Sequence, residues 1–301
     1  MDKRDIGCAI GAYACWGLIP IYWRWLRHVS ATELIAHRIG WSFLLLLAVM
    51  LSMGQWPILR TAVRQTRVLA LYALAAILLS VNWLTYIWAV NAGFIVEASL
   101  GYFVNPLLSV LLGVAFFRER LRSLQWVAVG LMACGVLYLT IAVGHPPWIA
   151  LTLATSFALY GLIKKLAPLS SLPGLTLETG LLLLPALVYL LAIECRGRGA
   201  FLHTGVVADG LMVGAGVVTT IPLLLFTVAA RRIPLSLLGI LQYISPTLQL
   251  LVGVLVFQET FTRVRLLGFG LIWLALLVFT VESALARRAA APAPIPEIGE
   301  G

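Results

Sequence analysis

Residues 101–119 read GYFVNPLLSVLLGVAFFRE, and residues 241–259 read LQYISPTLQLLVGVLVFQE. A shift of 140 residues lays one on the other without a gap: Pro106 meets Pro246, Gly113 meets Gly253, Phe117 meets Phe257 and Glu119 meets Glu259, and beyond them Gly130 meets Gly270. Shared hydrophobicity alone would mostly match Leu with Leu, so agreement in Pro, Gly and Glu marks an internal repeat. A shift of 144 sets residues 14–19, ACWGLI, against residues 158–163, ALYGLI, and a shift of 145 puts Glu33 on Glu178.

Composition says where such a repeat must live. Of the 301 residues 61% are hydrophobic and only 11% are charged, and the mean hydropathy is +1.01. A soluble domain carries about 25% charged residues, so the chain is read as an integral membrane protein. Apolar runs between charged or Pro/Gly breaks predict ten helices, at 6–25, 32–53, 69–90, 96–117, 124–142, 148–163, 174–193, 207–229, 235–257 and 265–285. The sixth is short beside the ~20 residues a span needs. The fold class is therefore all-α, with each copy of the repeat holding five spans. An odd number inverts the second copy in the membrane, giving two inverted-topology five-helix repeats at 1–143 and 144–286. Residues 287–301, rich in Ala and Pro, are expected to form a disordered cytoplasmic tail.

Lys and Arg concentrate in cytoplasmic loops. Lys3 and Arg4, Arg60, Arg64 and Arg67, Arg118, Arg120 and Arg122, Lys164 and Lys165, Arg231 and Arg232, and Arg287 and Arg288 fall on one side. Only Arg24, Arg27, Arg196, Arg198, Arg263 and Arg265 fall on the other, so both termini are expected in the cytoplasm. The net charge of +9 sits at the ends of apolar runs rather than on a soluble basic face, which excludes nucleic acid as a partner. The four cysteines have no C-x-x-C spacing and signal neither disulfide nor metal. No phosphate loop, H-E-x-x-H or G-x-S-x-G motif is present, so no cofactor and no catalytic residue is assigned.

One basic residue, Arg38, lies well inside a predicted span, where a charge normally faces a bundle interior or a water-filled cavity. It enters from the external side to a depth of ~9 Å, whereas Glu178 enters ~6 Å from the opposite side, leaving ~15 Å between them. Glu97, which enters from the same side as Arg38, is the preferred partner. Two readings stay open: a switchable pair or substrate-carboxylate site, and a permanent pair that orients helices. Glu33 and His37 share a helix face at i, i+4 and, with Glu178, are the candidates for proton coupling; packing is the plainer role for each. Pro106 and Pro246 each remove a backbone donor inside a span, and their matched positions make them candidate hinges.

Asn82, Asn91, Asn105, Thr219, Thr220, Gln242 and Gln249 offer hydrogen bonds within apolar runs, with Trp16, Trp83, Trp88, Tyr102 and Tyr243 as stacking faces. The mixture suits an amphipathic organic molecule better than a bare ion, although amides also join helices. Trp23, Trp25, Trp56, Trp126 and Trp148 are assigned to the interfacial belt. Glu119 and Glu259 end matching spans beside arginines, where helix capping or interface anchoring is expected. Gly7-x-x-x-Gly11 and Gly210-x-x-x-Gly214 permit close helix packing and leave a homodimer open.

Residues 97–106, EASLGYFVNP, the FRERL ending at 117–121, His37-Arg38, Asn82-Trp83, Trp88-Ala-Val-Asn91, Thr219-Thr-Ile-Pro222 and Gln242-Tyr-Ile-Ser-Pro246 resemble the RarD proteins, a branch of the EamA group in the drug/metabolite transporter superfamily. The similarity runs through residues 6–285. Ser245 stands where Gly is common in that branch. The resemblance implies ten helices in two inverted repeats within a bacterial inner membrane, and the branch's name reflects chloramphenicol sensitivity.

The expected function is a secondary transporter exporting small amphipathic metabolites or drugs by alternating access, its partners being a small-molecule substrate, the lipid bilayer and coupled protons. An intramembrane lipid-modifying enzyme would need catalytic groups clustered at one depth, and only Glu33, His37 and Arg38 approach that. A non-transporting sensor would have no need of a matched inverted repeat.

Overall fold

A computed structural model describes residues 2–92, 94–143, 148–256, 258 and 263–289. Its elements are α1 (Lys3–Trp25), α2 (Ala31–Ser52), α3 (Trp56–Val63), α4 (Thr66–Asn91), α5 (Ile95–Phe117), α6 (Ser123–Val143), α7 (Trp148–Leu166), α8 (Ser171–Cys195), α9 (Val206–Arg232), α10 (Leu235–Gln242), α11 (Ile244–Leu251), a π-helical turn (Val252–Val256) and α12 (Arg263–Ala289).

Local chemistry sets the boundaries. The Asp2 carboxylate accepts the Arg4 N–H at 3.0 Å and starts α1, and Ser30 Oγ accepts the Glu33 N–H to start α2. Ile233 precedes a proline and is extended (ψ 158°), which ends α9; Pro234 then leads into α10. The ninth predicted span is not one helix. Pro246 has no N–H to return to the carbonyl of Gln242, and the chain breaks into α10 and α11 around Tyr243. Pro106, its register mate, sits inside an uninterrupted α5. The sixth predicted span lengthens from 148–163 to Trp148–Leu166 because Lys164 and Lys165 continue the helix. The short amphipathic α3 was not foreseen.

Nine segments among the described residues are long and apolar enough to cross a ~30 Å hydrocarbon core. The α10–α11–π stretch makes one of them, and α12 contributes a shorter apolar stretch, Leu266–Glu282, where the sequence predicted a tenth full span. The chain is thus an all-α, multi-pass membrane protein.

In lipid the association of helices depends on close packing rather than on a difference in hydrophobicity, and small residues mark the joints. A Cβ at Gly216 of α9 would stand 2.6 Å from the Trp41 Cβ of α2. At Gly17 of α1 it would stand 2.6 Å from Leu248 of α11, and at Gly239 of α10 2.7 Å from the Pro106 carbonyl of α5. Between these joints, α7 packs against α4 and α5, α1 against α9 and α11, α2 against α8 and α9, and α6 against α12. Two aromatic-rich cores result. One gathers Phe103, Met132, Phe269 and Phe279; the other gathers Tyr13, Tyr160 and Phe226.

Candidate functional site

A cavity of about 430 Å³ lies among α1, α2, α4, α5, α7, α9, α10 and α11, on the half of the bundle where α1 and α4 finish and α2 and α5 begin. Helical spacing builds its walls. Trp16, Pro20 and Trp23 recur at i, i+4, i+7 along α1, and Leu79, Asn82, Trp83 and Tyr86 do the same along α4. Tyr102 and Asn105 come from α5, Phe157 from α7, and Gln242, Ser245, Pro246 and Gln249 from the broken span. Gln242, Ser245, Pro246 and Gln249 stand at i, i+3, i+4 and i+7, so the span keeps one face toward the cavity across the turn at Tyr243, whose backbone stays near-helical (φ −62°, ψ −14°).

Arg38 provides charge in this wall. Its Nε donates to Thr219 Oγ1 at 2.9 Å, which ties α2 to α9, and its guanidinium carbon lies 4.6 Å from the Trp83 ring centroid and 5.1 Å from that of Trp23. Indole faces stabilise a partly desolvated cation by roughly 0.5–2 kcal/mol each. Among the described residues no carboxylate forms an ion pair with Arg38. The side chain of Glu97, the partner expected from the sequence, lies outside the described residues.

The polar lining side chains are held by the bundle. Asn82 Nδ2 donates to the Leu153 carbonyl at 2.8 Å and to Ser156 Oγ at 3.1 Å, so one side chain both faces the cavity and fastens α4 to α7. Asn105 Oδ1 accepts from Ser109 Oγ, and Gln249 Nε2 donates to the Trp16 carbonyl at 3.1 Å. Tyr86 and Tyr102 meet edge to face at 5.9 Å.

Of the residues singled out from the sequence, the cavity gathers Arg38, Asn82, Trp83, Tyr102, Asn105, Gln242 and Pro246. Trp16 and Gln249 line it too, the side chains of Asn91 and Glu97 lie outside the described residues, and Trp88, Tyr243, Pro106, Glu33, His37 and Glu178 are not among its lining residues. Trp88 is half exposed and packs on Phe94 and Trp148. Tyr243 is fully buried, its hydroxyl donating to the Phe103 carbonyl at 3.0 Å. Pro106 is buried beneath Gly239. Glu33 accepts the backbone N–H of Ala200 at 2.7 Å, and His37 stacks on Phe201 with Nε2 4.0 Å from Glu33. These two residues therefore pin the loop before α9 to α2. Glu178 pairs with Lys164 at 2.6 Å, both side chains at most 1% exposed, with the Tyr72 and Tyr160 rings flanking the ammonium.

Two features escaped the sequence reading. Trp23, assigned to the interfacial belt, lies against Arg38; its i+7 spacing from Trp16 was the available signal. Lys164, assigned to a loop, is buried in the last turn of α7, and no local signal distinguishes it from the part-buried Lys165 beside it. Outside the spans, the exposed His203 imidazole lies 2.9 Å from Glu194 Oε1, and that hydrogen bond and charge raise its pKa above the usual histidine value.

The half of the bundle opposite the cavity is laced with polar clasps. Glu119 accepts the first N–H groups of α10, from Leu235 at 2.6 Å and Ser236 at 2.9 Å, so its carboxylate caps that helix. Lys165 Nζ donates to the Ile233 carbonyl, Arg231 to the carbonyls of Ala167 and Leu169, and Arg232 pairs with Asp5 at 3.2 Å. Glu259, the register mate of Glu119, lies outside the described residues.

A family model of EamA-like transporters matches residues 4–141. The chain is 48% identical over 278 residues to "Protein RarD" of Streptomyces exfoliatus, covering 92% of this chain and 88% of that one. It is 46% identical over 294 residues to "Uncharacterized transporter YojE" of Bacillus subtilis, covering 95% and 97%. A solved structure titled "Crystal structure of protein" superposes with a TM-score of 0.68 at 19% identity, covering 96% of this chain and all of that one, which bears on the fold alone. An arginine held inside an apolar helical bundle and near-full-length identity to such relatives agree, and the chain belongs to the EamA/RarD family of membrane transporters, not to an enzyme family.

Proposed function

We propose that the chain is a secondary transporter that moves small amphipathic organic molecules by alternating access, with the cavity around Arg38 as its substrate site. The observation that carries this reading is one cavity, about 430 Å³, walled by helices from both halves of the chain and backed by a clasped opposite end. That volume falls within the range of small-molecule sites. Alternating access would release the Glu119, Lys165 and Arg231 clasps as the cavity side closes.

The reading includes ten spans, α12 being the tenth, in two inverted repeats at 1–143 and 144–286, with both termini cytoplasmic in a bacterial inner membrane. Packing supports the duplication: α1 lies on α9 as its counterpart α7 lies on α4, and α5 meets α7 as α10 and α11 meet α1. An exchange of conformations between two similar halves is the simplest route to alternating access. Export, proton coupling through Glu33, His37 or Glu178, and chloramphenicol-like substrates are parts of the same proposal.

Counterflow in proteoliposomes of the purified protein tests it, using labelled chloramphenicol and aromatic acids with and without an imposed pH gradient. Saturable exchange supports a carrier, and a response to the gradient supports proton coupling. Absence of saturable flux for every compound overturns the transport reading.

A further inference from the structure

The charge inventory of the cavity goes further than its size. Among the described residues the ionisable side chains with a formal charge in its wall are Arg24 and Arg38, both cationic, and no Asp or Glu lines it. Arg38 has five N–H groups. Nε–H goes to Thr219, and the four terminal N–H groups meet no acceptor among the described residues. The contacts with Trp23 and Trp83 support the cation but take up no N–H. Desolvated donors that remain unmatched destabilise a site until something fills them, and a planar guanidinium fork matches a carboxylate.

We infer that this cavity takes organic monoanions, a carboxylate docking on the terminal N–H groups of Arg38 and an apolar or aromatic body lying against Trp83, Tyr102 and Phe157. The inference rests on the substrate-site reading above and narrows it to anions, setting the neutral chloramphenicol-like class aside. An amine would meet like charge, and among the described residues no carboxylate lines the wall to receive it. A zwitterionic amino acid would satisfy Arg38 at one end, and its ammonium would find no carboxylate among those residues. A neutral amide of the same shape keeps the packing and loses the charge-assisted hydrogen bonds.

Calorimetric titration of the full chain in nanodiscs with 3-phenylpropanoate, 3-phenylpropanamide, 3-phenylpropylamine and phenylalanine separates these classes, and counterflow with the same four compounds runs beside it. The expected order is propanoate tightest, the amide at least tenfold weaker, and the amine and phenylalanine weaker again. Arg38→Gln should bring propanoate and amide to similar affinity, and Arg38→Lys should keep part of the preference. If Arg38→Gln does not fold, the order on the unsubstituted protein still decides. Equal binding of acid and amide, preference for the amine, or no binding of any of the four overturns the inference. Acid-selective binding without flux upholds it and removes the transport reading; flux without charge preference does the reverse.

Discussion

Tyr243 and Phe103 stand 140 positions apart, their separation is the register of the internal repeat, and the hydroxyl of one donates to the carbonyl of the other at 3.0 Å. Contact between register mates is what residues beside a two-fold axis would show. Tyr243→Phe keeps the ring and removes one buried hydrogen bond, so unfolding in detergent should become easier by about 1 kcal/mol. An unchanged melting curve would mean that the bond contributes nothing to the junction between α5 and the broken span.

Lys164 and Glu178 form an ion pair shielded from solvent. Removing one charge strands the other, so Lys164→Met or Glu178→Gln should each cost roughly 3–5 kcal/mol, while Lys164→Met combined with Glu178→Leu should recover most of that. Thermal unfolding of the three variants checks this. The recovered double variant also tests the proton-coupling role of Glu178, because gradient-driven flux should disappear from it if the role is real and persist if the pair is structural.

At Gly216 the helices α2 and α9 approach too closely for a methyl group. Gly216→Ala places the new carbon 2.6 Å from the Trp41 Cβ and 2.9 Å from the Ser42 backbone nitrogen, so the helices must separate at a cost of about 1–3 kcal/mol. Gly210→Ala in the same helix meets nothing within 4 Å and should be neutral. Comparable stability losses in the two would contradict the packing.

His203, exposed beside Glu194, should titrate above an ordinary histidine. Because its folded-state pKa is raised, the pair stabilises the fold fully below the unfolded pKa and loses that contribution as pH rises through the folded value. Histidine-selective NMR titration should show the raised midpoint, and Glu194→Gln should lower it. A midpoint at the usual value in both proteins would dismiss the pair.

Topology is open to chemical labelling. With the four native cysteines replaced, Arg64→Cys and Arg196→Cys should react with impermeant maleimide from opposite faces of the membrane, Arg64 from the cytoplasm. Labelling from one face would overturn the inside placement of both termini and the inverted arrangement with it.

Most of the fold was legible in the sequence because lipid leaves little choice: an apolar run long enough to cross becomes a helix, and its ends are marked by Ser30, Pro234 and the flanking basic residues. The broken ninth span was not read, since Pro246 and Pro106 look alike locally and only Pro246 interrupts its helix. For the cavity, charge and periodicity were the readable signals; they led to Arg38, Asn82, Trp83 and Tyr102 but not to Trp23, whose place depends on how α1 rotates against α2. Pairings across many residues, such as Glu119 with the start of α10 or Glu33 with the Ala200 amide, leave no local mark.

Asn82 presents its side chain to the cavity while its amide holds α7. With the cavity as the proposed substrate site, variation at that position would change ligand contacts and the α4–α7 joint in one step. On that proposal a substitution at residue 82 that alters ligand contacts also gives up two hydrogen bonds to α7, so tolerance of change there depends on how well the rest of the α4–α7 joint holds.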